Sequence, residues 1–133
     1  MITSTQIIEA IQARLVGDAG ITAIVPAASI GNYLPQDNAY PHIFYSTSFE
    51  VTGLKGETAQ DVTLQIDIYS KDTSSNEVLR VMDAVQNGLD GIPITIASGD
   101  CFATYYLTGT TELDSDGKTY QGTVIYILKY GDS

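Results

Sequence analysis

The residues able to do chemistry are few in this chain. It contains one histidine, His42, and one cysteine, Cys101. Nucleophilic triads and most zinc sites need histidine with partners at fixed geometry. His42 lies between Pro41 and Ile43 at the start of a strand-like run, where a structural role is the expectation. Cys101 has no basic neighbour to lower its thiol pKa, and Asp100 beside it opposes thiolate formation, so it reads as an inert thiol. A lone cysteine also excludes an internal disulfide framework and a multi-cysteine zinc site.

Two short segments invite comparison with binding motifs. Gly53-Leu54-Lys55-Gly56 is rich in Gly and Lys, but it lacks the Gly-Lys-Ser/Thr that cradles phosphate and stands between strands rather than before a helix. Asp114, Ser115 and Asp116 before Gly117 resemble a fragment of a calcium loop. The distal Glu and the flanking helices of such a loop are missing, so the segment reads as a hairpin tip. There is no nucleophile elbow, no Walker loop and no dinucleotide-binding glycine pattern after a strand. These residues predict neither an enzyme nor a cofactor or metal site.

The composition agrees. The 133 residues are 44% hydrophobic and 17% charged, which suits one globular domain over 1–133 and excludes disordered, collagen-like and coiled-coil classes. Sixteen acids against six bases leave a net charge of −10. Six scattered bases cannot neutralise a phosphate backbone by counterion release, so specific nucleic-acid binding is not expected. Adhesion to anionic membranes is disfavoured for the same electrostatic reason. No apolar run approaches the ~20 residues that span a bilayer. The first residues carry no basic stretch or cleavage site, so no signal peptide is expected and synthesis is expected in the cytosol.

The elements that would position these side chains can be read from periodicity. Ile7, Ile8, Ile11 and Leu15 draw an apolar stripe for a helix over 5–16, with Thr3 and Gln6 at capping-box spacing and Gly17 and Gly20 after it. Ala23 to Val25 suggest one more short turn. Residues 26–41 read as a loop containing three prolines. Strands follow at 43–51 and 62–70, the second with Val62, Leu64, Ile66 and Ile68 in strict alternation. Ser74-Ser75-Asn76-Glu77 has the form of a capping box before a helix with Val78, Val81, Met82, Val85 and Leu89 on one side. Strands at 93–97, 102–113 and 119–130 complete the chain, the last two joined by a turn over 114–118. The expected class is α+β: an antiparallel or mixed sheet of about five strands with two main α-helices packed on one face.

Tyrosine is abundant, with nine against three Phe and no Trp. Such residues suit half-exposed sheet faces and subunit interfaces equally. The strand at 119–130 has Val124, Tyr126 and Leu128 on one side and Ile125 and Ile127 on the other. Both sides of that strand therefore need cover, which a second subunit could supply.

Taken in order, these features resemble the small tail-completion proteins of long-tailed bacteriophages, also called tail terminators or head–tail joining proteins. The segments that carry the resemblance are Leu15-Val16-Gly17-Asp18 at the first helix end, and Tyr33-Leu34-Pro35-Gln36 leading into Tyr40-Pro41-His42-Ile43-Phe44-Tyr45. Thr63-Leu64-Gln65-Ile66-Asp67-Ile68-Tyr69-Ser70 with the helix after it, and Tyr120-Gln121-Gly122-Thr123-Val124 after an acidic turn, complete them. The motifs are structural rather than catalytic, and they span nearly the whole chain.

The resemblance implies an α+β subunit of a ring, typically hexameric, on the head-proximal end of the tail tube. It implies a structural protein of the virion, assembled in the host cytoplasm, that stops tube polymerisation and provides the surface for head attachment. Its partners would be other copies of itself, the tail tube protein and the head–tail connector or neck protein. DNA would pass through the lumen without specific binding, which an acidic wall favours by repulsion. The expected ring or tube contacts are Leu54, Lys55 and Glu57 in the first loop, Asp114, Asp116 and Lys118 in the turn, and Tyr126. Two alternatives remain: another minor neck or connector protein, and a small-molecule-binding domain on a ferredoxin-like scaffold, which would need polar or titratable groups converging in a pocket.

Overall fold

The computed structural model describes residues 4–32, 40–51, 60–72, 74–92, 94, 96, 99–113 and 115–132. Helix α1 spans Ser4–Val16 and buries Ile7, Ile11 and Leu15, the stripe expected from the sequence. Thr3 of the expected capping box lies outside the described residues. A short helix α2 follows at Ala19–Thr22, earlier than expected. Its start is set by Asp18, whose carboxylate accepts from the Ile21 amide at 3.1 Å, and hydrogen-bonded turns continue from it to Val25. Gly20 is thus inside a helix rather than a terminator.

The stretch 26–41 is more structured than a loop. A 3-10 turn at Ala27–Ser29 leads into a two-residue strand β1, Ile30–Gly31. Strand β2 is His42–Val51, β3 is Gln60–Ser70, and helix α3 is Asn76–Leu89. Strand β4 is Gly99–Leu113 and β5 is Tyr120–Asp132. These strands form one five-stranded mixed sheet in the order β1-β2-β3-β5-β4. All pairs are antiparallel except β1 with β2.

Two expectations need correction. No strand forms at 93–97 among the described residues: Ile96 makes only an isolated bridge, and the fifth strand is β1 instead. Pro93, Thr95 and Ala97 lie outside the described residues. The predicted capping box at Ser74–Glu77 does not close either. Ser75 makes no side-chain cap, and the Glu77 carboxylate instead accepts a hydrogen bond from the Ser70 hydroxyl at 2.7 Å. A tertiary partner at the end of β3 has outcompeted the local one.

The helices lie on one face, because the strands present one parity to them. Val62, Leu64, Ile66 and Ile68 of β3 and Val124, Tyr126, Leu128 and Tyr130 of β5 are buried in the same core as the helical stripes. Helix α1 is tied to the sheet by Gln12, which donates to the Ile30 carbonyl at 2.9 Å and accepts from the Tyr45 hydroxyl at 2.7 Å. Arg14 reaches from α1 to the Gly88 carbonyl at the end of α3. Helix α3 lies close over β5 at Gly122. A β-carbon there would fall 2.7 Å from the Met82 sulfur and 3.0 Å from a Val78 methyl. Glycine at that position therefore sets how closely helix and sheet approach.

Candidate interaction surfaces

The turn expected to contact a neighbour is well organised. The Asp116 carboxylate accepts from the backbone amides of Lys118 and Thr119 at 2.8 and 2.9 Å, and from the Thr119 hydroxyl at 2.7 Å. The amide of Lys118 contributes most to holding its pKa down to about 2, followed by the Thr119 hydroxyl and amide. Gly117 has φ +71, the left-handed conformation that such a turn requires. Asp116 and Lys118 are exposed at its tip. Asp114, and the loop residues Leu54, Lys55 and Glu57, lie outside the described residues.

Tyr126 is not at the surface. It is 0% exposed, on the helix-facing parity of β5, with its ring edge-on to Tyr106 at a centroid distance of 5.7 Å. Its hydroxyl is buried without a hydrogen-bond partner, and burial pushes its pKa up. The strand parity that puts Tyr126 beside Val124 and Leu128 was visible in the sequence. What the sequence left open was which parity the helices would cover.

The sheet face opposite the helices has no covering element among the described residues. Its central strands carry Thr63, Gln65, Asp67 and Tyr69 of β3 beside Gln121, Thr123, Ile125 and Ile127 of β5. Lys129 and Asp61 form an ion pair across these strands at 2.9 Å. Asp67 is the buried carboxylate of this face. It accepts from the Thr123 hydroxyl at 2.8 Å and from the amides of Gln65 and Gln121 at 3.3 and 3.5 Å. These neutral donors fix side chains across two strands, a network that strand alternation alone did not reveal.

Among the described residues the remaining candidates do not come together in a reactive centre. His42 is buried between the rings of Tyr40 and Tyr69, at 4.9 and 4.7 Å. A cleft of about 420 Å³ beside α1 is lined by Ile8, Glu9, Gln12, Ala13, Asn32 and Tyr45. Its polar centre, the pair Gln12 and Tyr45, is already engaged internally. No group of three or more potential metal ligands occurs among the described residues. No helix among them is long and apolar enough to cross a membrane.

The family model described as tail completion protein gp17 matches residues 9–130. The chain belongs to this tail completion family. Among solved structures, it is similar to a chain from the virion of a native gene transfer agent particle. That similarity has a TM-score of 0.86 and 11% sequence identity, and it covers 96% of each chain, which establishes a shared fold. No curated protein matches the sequence significantly. The tail completion match takes in everything from the middle of α1 to the end of β5, so both the helix-covered core and the open sheet face are included.

Proposed function

We propose that this chain is a tail terminator: a subunit of a ring, typically a hexamer, on the head-proximal end of the tail tube. The ring stops tube polymerisation and offers the surface to which the head connector attaches. Membership of the tail completion family over residues 9–130 carries this reading. The fold shared with a chain of a gene transfer agent virion supports a place in the particle.

Physical chemistry supports the same reading. A subunit that closes a ring contacts its neighbours through two different surfaces, and among the described residues this chain has a broad sheet face and an outer edge of β4 that its own elements leave uncovered. A net charge of −10 suits a wall past which DNA slides without sticking. The role is structural, and the partners are other copies, the tail tube protein and the connector.

Electron microscopy of particles lacking this gene tests the proposal. Overlong, unattached tails are expected, because the stop on polymerisation is gone. Tails of normal length that fail to join heads would move the protein to the neck. Normal virions would remove the assembly role.

A further inference from the structure

We propose that two copies of this chain join through the outer edge of β4, with residues 107–113 of one copy running antiparallel to the same residues of the other about a two-fold axis. A two-fold contact closes at two copies, so it is separate from the contacts that would close a ring and does not rest on that reading.

The outer edge of β4 is open over this run among the described residues. β4 is the last strand of the sheet and pairs there with β5 alone. The longer stretches outside the described residues adjoin other parts of the sheet. Residues 33–39 follow β1 at the opposite edge, and 52–59 connect ends of β2 and β3 that lie level with the start of β4. An edge strand of a stable monomer is ordinarily guarded by lysine, proline, inward charge or a bulge. Here 101–111 carry no charge and no proline. The second bulge of β4 falls between Tyr106 and Thr108, so 108–113 is a regular strand.

Exposure singles out the same run. Leu107 is 60% exposed and Leu113 50%, and every residue from 106 to 113 except Gly109 is exposed. Both sides of the strand take part. Thr108, Thr110 and Glu112 lie opposite Ile125, Thr123 and Gln121 on the open sheet face, whereas Thr111 and Leu113 lie opposite Gly122 and Tyr120 on the helix side. The run therefore reaches past the helix layer, with an exposed leucine at each end.

A second copy is the partner that this edge matches. Two chains that each carry −10 repel, so they can meet closely only through uncharged surface. Setting Thr110 opposite Thr110 of the second copy places Gly109 opposite Thr111, Thr108 opposite Glu112 and Leu107 beside Leu113, each twice. Each glutamate then faces a hydroxyl at one end of the joint, and the exposed leucines meet in two pairs. A joint centred on Glu112 would set the glutamates against each other. One centred on Thr111 would bring Leu113 to Gly109 and leave Leu107 unmatched, and one centred on Gly109 would draw the bulge into the ladder. A two-fold axis normal to the sheet keeps both helix layers on one side. It also sets the outward amides and carbonyls of one edge against those of the other. Seven residues at about 3.4 Å each give a joint of ~24 Å.

Sedimentation of the full chain over a range of concentrations tests the joint, with thermal melting to confirm that each variant folds. The wild type should form a dimer when concentrated. Thr110→Lys sets lysine against lysine on the two-fold axis and should weaken the dimer several-fold. Thr108→Lys sets lysine against Glu112 twice and should strengthen it several-fold. Both variants change the net charge equally, so opposite effects report the register and not the overall repulsion. An equimolar mixture of Thr110→Lys and Thr110→Glu should regain wild-type association, because the opposite charges then face each other. Association that Thr110→Lys leaves unchanged, or that Thr108→Lys fails to strengthen, would overturn the joint. A wild-type chain that stays monomeric when concentrated would also overturn it and leave the β4 edge to a strand from another protein.

Discussion

Replacing Tyr126 by Phe should stabilise this protein. The residue is 0% exposed, its ring packs edge-on to Tyr106, and its hydroxyl has no hydrogen-bond partner. Burying an unsatisfied hydroxyl costs about 1–3 kcal/mol on mutational scales, while removing one oxygen leaves little void beside the ring. The net gain from Tyr126→Phe should therefore be about 1 kcal/mol near neutral pH. In a domain of this size that raises the melting temperature by roughly 3–5 °C. The same burial favours the neutral phenol, so its folded-state pKa lies above its unfolded value of about 10. The stability held by that neutral form is complete below pH ~10 and is lost as the pH rises through the folded pKa. The wild type should then lose up to about 1.4 kcal/mol per pH unit relative to the variant. Urea unfolding of both proteins at pH 7 and at several points above pH 10 measures both effects. A variant less stable than wild type at pH 7, or a gap that stays flat in alkali, would refute the argument and mean that the hydroxyl is bonded.

Two further outcomes are expected. Leu64 is fully buried in the central strand β3, so Leu64→Asp should abolish folding by burying an unpaired charge, and Leu64→Ala should cost about 2–5 kcal/mol; circular dichroism would show a cooperatively folded Leu64→Asp protein if this is wrong. The Asp116 carboxylate should titrate near 2, and its contribution to stability should be complete above its ordinary value of 3.8 and fade as the pH falls towards 2. An NMR midpoint close to 4 would show that the turn does not hold it.

The local elements were largely legible because each carries its own period. The alternation Val62, Leu64, Ile66 and Ile68 allowed only a strand with one buried side, and the 3.6-residue stripes of α1 and α3 allowed only amphipathic helices. Gly117 behind an acidic tip marked the hairpin turn for the same reason: its conformation is set by the residues in it. Errors came where a distant partner decided. Glu77 abandoned the capping box for Ser70, and β1 formed in a stretch without strand period because β2 offered a paired edge. The candidate site divided in the same way. Asp116 and Lys118 could be placed at a tip from turn chemistry alone, whereas Tyr126 could not be placed on the inside or the outside.

The amino-acid sequence by itself determined the class of this protein: its α+β order, its strongly acidic character, its poverty in catalytic groups and its likeness to tail completion proteins. These follow from composition and short-range periodicity, which the folded chain only executes. The tertiary structure alone decided which parity of β5 the helices cover, that Asp67 is held by three neutral donors across two strands, and that β1 and β4 stand at the edges. Those are outcomes of pairing between segments far apart in the chain, and strand order and the face that is buried are properties of the assembled sheet rather than of any one strand.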